Sequence, residues 1–217
     1  MFDAAAARRM MVDGQVRTAD VTDWAILDAM LTLPRERFLP PALAELAYLD
    51  ADIPLGKGRA LLKPMVLAKL IQAAQIGSTD RVLDLGCGTG YSSAVLARLA
   101  ATVVALEEDP DLARQAREAL AATGAGKVEV VVGPLTGGWP AGAPYDVILL
   151  NGAAEVVPDD LGRQLKPGGR IVGIGGHPPA TKATIYYPIE GKLAGRPIFD
   201  ASARLLPGFV QPPAFVF

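Results

Sequence analysis

The chain has almost no cysteine and almost no histidine. Cys87 is the one thiol in 217 residues, so no disulfide can form within the chain, and a reducing compartment suits it. His177 is the one imidazole, which excludes a metal site built from clustered His and Cys. An excess of charge of one sign is missing too: 21 Lys and Arg stand against 23 Asp and Glu, for a formal net charge of -2. That balance gives no electrostatic reason to expect a nucleic acid or an anionic membrane as partner. No apolar run approaches the ~20 residues of a membrane-spanning helix. The N-terminus, with Asp3, Arg8, Arg9 and Asp13 among alanines, lacks the apolar core of a signal peptide. The expectation is a cytoplasmic protein without a metal. What is present is a globular composition, 51% hydrophobic and 20% charged, in a chain long enough for one substantial α/β domain.

Helical signals dominate the first third. Thr22 and Asp23 precede an apolar set at helical spacing, Trp24, Ile26, Leu27, Met30 and Leu31, and Pro34 ends it. Pro40 and Pro41 introduce a short helical piece through Leu46. Residues 51–63, with Pro54, Gly56 and Gly58, have the composition of a loop. Pro64 suits the first turn of a helix reaching about Gln75. From Arg81 on, strands alternate with helices. Strands are expected at 81–85, 102–106, 128–132, 145–150 and 170–174. Helices are expected from Tyr91 to Leu99, from Asp109 with Leu112, Ala116 and Leu120 on one face, and in a stretch ending at Lys166-Pro-Gly-Gly169. This alternation predicts crossover connections and an α/β fold, a Rossmann-like, doubly wound, mainly parallel sheet with helices on both faces. Thr184-Ile-Tyr-Tyr187 predicts antiparallel strand structure at the sheet edge. The expected organisation is a single domain: a helical extension and loop over 1–63, a core over 64–180 and a C-terminal strand extension over 181–217.

The informative segment is Asp84-Leu-Gly86-Cys-Gly88-Thr-Gly90-Tyr91, which follows a strand and opens a helix. Glycines let such a turn bring the backbone close to a ligand at the carboxyl end of the sheet. A dinucleotide fingerprint requires a third glycine at its sixth place, and Tyr91 stands there instead. A carboxylate, Asp84, immediately precedes the loop, where a pyrophosphate would be repelled. Glu107, 23 residues after Asp84, ends the second core strand. A carboxylate there suits the two hydroxyls of a ribose. The loop contains no basic residue. Together these features favour a cofactor with a ribose and an ammonium group but no phosphate, S-adenosylmethionine. The bland alternative is a sheet protein that uses glycine for tight packing and leaves Glu107 in solvent. Cys87 is expected to be a small residue chosen for fit. His177 is expected to be a loop histidine, and Trp139 to pin its loop to the core.

Further segments give a more specific likeness: Met11-Val-Asp-Gly-Gln-Val-Arg17, Pro34-Arg-Glu-Arg-Phe-Leu-Pro40, Ile53-Pro-Leu-Gly-Lys-Gly58, Gly137-Gly-Trp-Pro140, Ala143-Pro-Tyr-Asp146 and Gln164-Leu-Lys-Pro-Gly-Gly-Arg170. With the glycine loop they make the chain resemble the protein-L-isoaspartate O-methyltransferases over most of its length. The resemblance implies methyl transfer from S-adenosylmethionine to the free carboxylate of isoaspartyl residues in damaged proteins. It also implies that the cofactor is bound by Asp84, Gly86, Cys87, Gly88, Gly90, Tyr91 and Glu107, with the Leu135 amide near the adenine. The nucleophile is a carboxylate ionised at neutral pH, so the family's chemistry needs no general base.

Three departures from the family pattern stand out. Its substrate loop commonly reads Gly-x-Gly-Gln-Thr-Ile-Ser-Gln-Pro, and this chain has Gly56-Lys-Gly-Arg59-Ala-Leu-Leu62-Lys63-Pro64. Leu62 replaces a serine and has no hydrogen to donate, a loss comparable to the ~3–4 kcal/mol of a missing oxyanion donor. Arg59 and Lys63 are new cations, expected either to bind an anionic substrate or to be solvated. The family's Gly-Asp-Gly after the third core strand is Gly133-Pro134-Leu135, and Asn151 replaces a threonine after the fourth. Asn151 keeps hydrogen-bonding ability at its strand end and changes little; the substrate loop and Pro134 keep two alternatives in view, a methyltransferase with a different acceptor and a non-catalytic cofactor-binding relative.

Overall fold

The computed structural model describes residues 2–211. Strands β1 (Ile53–Gly56) and β2 (Arg59–Leu61) form a small antiparallel hairpin. The remaining seven, β3 (Arg81–Leu85), β4 (Thr102–Glu107), β5 (Glu129–Val132), β6 (Tyr145–Ala154), β7 (Leu165–Gly175), β8 (Lys182–Ile189) and β9 (Lys192–Asp200), form one sheet in the order β5-β4-β3-β6-β7-β8-β9. The first five pair in parallel, and β8 and β9 add an antiparallel edge. The order reverses between β3 and β6, so the carboxyl ends of β3, β4 and β6 border the crevice where ligands of open α/β sheets bind.

Alternation along the strands divides the core in two. Val82, Val103, Ala105, Val147 and Leu149 face one side, where they meet α1 (Ala4–Met11), α2 (Trp24–Thr32), α3 (Pro64–Ala74) and α4 (Tyr91–Leu96). Leu83, Leu85, Val104, Leu106, Ile148 and Leu150 face the other, against Leu161 of the single-turn α6 (Asp159–Gly162), Leu135, and Leu206 and Phe209 of the C-terminal segment. The helices start where their caps allow. Asp23 accepts hydrogen bonds from the Ala25 and Ile26 amides, and Asp109 accepts them from Asp111 and Leu112 at the head of α5 (Pro110–Ala122).

Four local expectations need revision. Trp24 does not join the apolar face of α2: it is 71% exposed, with the Arg17 guanidinium 5.1 Å from its ring. Leu31 is half-buried, while Ile26, Leu27 and Met30 are buried. Residues 51–63 are not a plain loop but contain the β1–β2 hairpin, whose turn is made by Gly56, Lys57 and Gly58, all at positive φ. The stretch before β7 is not a helix ending at Lys166. Beyond α6, Lys166-Pro-Gly-Gly169 belongs to β7, in a bulge opposite Tyr145–Val147. A Cβ at Gly169 would lie 3.0 Å from both the Lys166 and Tyr145 carbonyl oxygens, so the glycine pair suits a bulge that its helix-ending look concealed. The helix from Tyr91 also closes earlier, at Leu96.

Candidate active site

The glycine loop turns out of β3 and folds against the end of β4: the Gly86 and Cys87 amides both donate to the Leu106 carbonyl, at 2.8 and 3.1 Å. Gly90 caps α4 with φ 93°, and a Cβ there would lie 3.2 Å from Ala116 and Leu120 of α5. Left-handed backbone and a close helix leave this position to glycine. Cys87 is buried, and its thiol is pushed up by burial, then by the nearby Asp84 and Glu107 carboxylates. It is a packed thiol, not an activated one.

Asp84 is fully buried at the end of β3. Its Oδ2 accepts from the hydroxyls of Ser92 and Ser93 on α4, both at 2.6 Å. The Asn151 amide on β6 in turn donates to Ser92 Oγ at 2.6 Å. Asp84 Oδ1 is buried without a hydrogen-bonding partner. Burial pushes the carboxyl up to about 6, against the opposing pull of the two serines and Arg59. Ser92 and Ser93 were not separable in the sequence from ordinary helix residues, and Asn151 stood out there only as a departure from the family pattern, with no link to Asp84. The available signal was a polar pair in the first turn of a helix that otherwise buries apolar side chains.

Glu107 is fully buried at the end of β4. Its Oε1 accepts from the Glu108 and Asp109 amides at 2.9 and 3.3 Å. Its Oε2 accepts from the Gly88 amide at 2.7 Å and from Arg59 Nη2 and Nε at 3.3 and 3.4 Å. Arg59 is therefore not a solvated charge. Its side chain is 3% exposed, enters from β2, and also donates to the Gly86 carbonyl. The loop carries no cation of its own, yet the hairpin delivers one to it.

The other substrate-loop candidates lie apart from this pair. Leu62 is buried in the larger apolar cluster, and its carbonyl accepts from Arg35 Nη2 at 2.6 Å. Lys63 is half-buried, with its backbone amide donating to Asp52 Oδ1 at 2.8 Å. Tyr91 faces the N-terminal helices, edge-on to Phe38 at 5.4 Å and 4.6 Å beneath the Arg35 guanidinium. Leu135 is fully buried in the second cluster. Trp139 packs on that cluster and fixes its loop through the Gln164 side chain. His177 is exposed, between Glu155 and Gln211.

The model of the protein-L-isoaspartate(D-aspartate) O-methyltransferase family matches residues 7–178. The chain belongs to that family. A protein-L-isoaspartate O-methyltransferase of Methanoculleus marisnigri is 44% identical over 165 residues, 76% of this chain and 75% of that one. One from Methylorubrum extorquens is 44% identical over 170 residues, 78% of this chain and 74% of its own. A solved structure of a protein-L-isoaspartate O-methyltransferase superposes with a TM-score of 0.79 at 25% identity, covering 93% of this chain and 66% of that chain. A Plasmodium falciparum structure described as such an enzyme in complex with S-adenosyl-L-homocysteine shares the fold at TM-score 0.79 and 15% identity, covering 95% of this chain and 99% of its own.

The residues present fit the family's S-adenosylmethionine. Asp84 Oδ1 is a buried acceptor without a protein partner, Glu107 stands at the next strand end, and the loop between them has no basic residue of its own. Two side chains lie against the loop. The ideal Cβ position of Gly86 is 2.5 Å from Arg59 Nη2 and 3.0 Å from Leu206 Cδ2. Leu206 reaches it because Arg204–Leu206 runs beside the end of β6, with the Leu206 amide donating to the Ala153 carbonyl at 2.8 Å.

Proposed function

We propose that this protein esterifies the free carboxylate of isoaspartyl residues in damaged proteins, using S-adenosylmethionine. The observation that carries the cofactor assignment is the pair of buried carboxylates, Asp84 and Glu107, at adjacent strand ends across a glycine loop. Family membership supports the acceptor. Asp84 would hold the cofactor at its amino-acid end and Glu107 at its ribose. The bound cofactor supplies a methyl group activated by a sulfonium. The remaining work falls to positioning and to excluding water, since the acceptor carboxylate is already ionised near neutral pH. Ser92 and Ser93 orient Asp84, and Asn151 orients Ser92. We read the chain as one domain, because a single apolar cluster runs from Met11 to Ala201. No helix among the described residues is long and apolar enough to cross a membrane. A cytoplasmic location suits the free, buried Cys87.

The test is methyl transfer from labelled S-adenosylmethionine to an isoaspartyl peptide and to its ordinary aspartyl isomer. The expected outcome is an alkali-labile ester on the isoaspartyl peptide alone. A second reading, a different acceptor, is favoured by one observation: Leu62 is buried in the core and offers no side-chain donor where the family has a serine. Cofactor binding with neither peptide esterified would contradict the isoaspartyl reading and favour this one.

A further inference from the structure

The hairpin that carries Arg59 is fastened at its base, at its tip and between them. At the base, Arg35 is fully buried, with Nη2 donating at 2.6 Å to the carbonyl of Leu62, the residue directly after β2, and Nε at 2.7 Å to the carbonyl of Ala47, six residues before β1. At the tip, the Lys57 ammonium lies 2.5 Å from Asp109 and 3.6 Å from Asp111 at the head of α5. Lys57 holds a φ of 49°, a region rarely taken by residues with a side chain, so the turn and its ion pairs support one another. Leu55 lies over the loop, 3.0 Å from where a Cβ of Gly88 would be. Between base and tip, Arg59 spans Glu107 and the Gly86 carbonyl.

The donors around Glu107 decide what this closure does. A carboxylate offers about four acceptor sites. Three backbone amides, those of Gly88, Glu108 and Asp109, and the Arg59 guanidinium fill them. The amides belong to the loop and strand end that build the site and cannot leave. Arg59 is the one side-chain donor among them, and it arrives on a two-stranded hairpin outside the main sheet. A ribose that needs Glu107 therefore needs the place of Arg59.

We propose that Arg59 is a gate. Its guanidinium competes with the cofactor for Glu107, so the hairpin must lift before S-adenosylmethionine enters, and the apparent affinity is lowered by the fraction of molecules that are closed. The inference rests on the cofactor assignment above. It concerns the arginine of this chain, which stands where the family commonly has glutamine.

The test is calorimetric titration with S-adenosyl-L-homocysteine of the wild type, Arg59→Gln and Lys57→Ala, with stopped-flow association on the same proteins. The expected result is an affinity about tenfold or more higher for Arg59→Gln, and a smaller gain for Lys57→Ala, whose ion pairs are exposed and screened by salt. The association rate of the wild type should level off with ligand concentration at the rate of hairpin opening, and that of Arg59→Gln should not. Equal affinities in all three proteins, or a wild-type rate that rises linearly throughout, would overturn the gate and leave the cofactor assignment standing. No binding by any of the three would overturn both. Because Lys57 is exposed, its variant and the wild-type kinetics keep the test decisive if Arg59→Gln fails to fold.

Discussion

At the scale of single residues, the cofactor role proposed for Asp84 would set folding against ligand binding. Its folded-state pKa of about 6 lies above the ordinary 3.8 because burial disfavours the charge. The folded chain thus holds this proton more tightly than the unfolded chain. The stability associated with the group is fully present below pH ~4 and is lost as pH rises through about 6, a cost of about 3 kcal/mol at neutral pH. Asp84→Asn is accordingly expected to raise stability in urea at pH 7.5 and to narrow the gap between the two proteins at pH 4. The same substitution removes the charge that would meet the cofactor's ammonium group, so its affinity for S-adenosyl-L-homocysteine should fall by about tenfold or more. In the wild type that affinity should strengthen as pH rises from 5 to 7, measured by calorimetry at constant ionic strength. A gain in both stability and affinity would contradict this role. The role was only half legible in the sequence: the carboxylate before the glycine loop was visible, whereas its serine donors and Asn151 come from a helix and a strand joined only by folding.

At the scale of elements, the parallel strands were legible where an apolar run was bounded by a turn or loop signal, as Arg81–Leu85 is by the glycines after it and Tyr145 by Ala143-Pro144 before it. The hairpin was hidden for the opposite reason: its glycines and proline look like loop, and its pairing was not visible locally. Trp24 was assigned to the helix face by spacing alone; it is exposed at the first position of α2, with Arg17 over its ring. The energetic consequence is a contrast within α2. Trp24→Ala should change stability by no more than about 0.5 kcal/mol, while Ile26→Ala should cost about 2–5 kcal/mol, both read from urea denaturation. Arg35 offers the corresponding test for the hairpin. Its two charge-assisted bonds to main-chain carbonyls make Arg35→Leu destabilising by about 3 kcal/mol. Hydrogen exchange in residues 53–61 should then accelerate more than in β3. Uniform acceleration across the sheet would mean that Arg35 supports the whole fold and not this segment in particular.

At the scale of the molecule, a sheet that reverses its strand order between β3 and β6 gathers two buried carboxylates, a glycine loop and two covering segments at one rim. The strand-loop-helix unit was legible in the sequence, and with it the rim on which the proposed cofactor site stands. What covers the rim could not be read there, because Arg59 lies 48 residues from Glu107 and Leu206 more distant still from Gly86. What distinguishes this reading most sharply is that the rim takes S-adenosylmethionine and its thioether product, not a dinucleotide. Thermal unfolding with S-adenosyl-L-homocysteine and with NAD, each in large excess, tests it most directly. Tm is expected to rise with S-adenosyl-L-homocysteine, by the linkage of binding to folding, and to stay put with NAD. Stabilisation by NAD without any by S-adenosyl-L-homocysteine would contradict it.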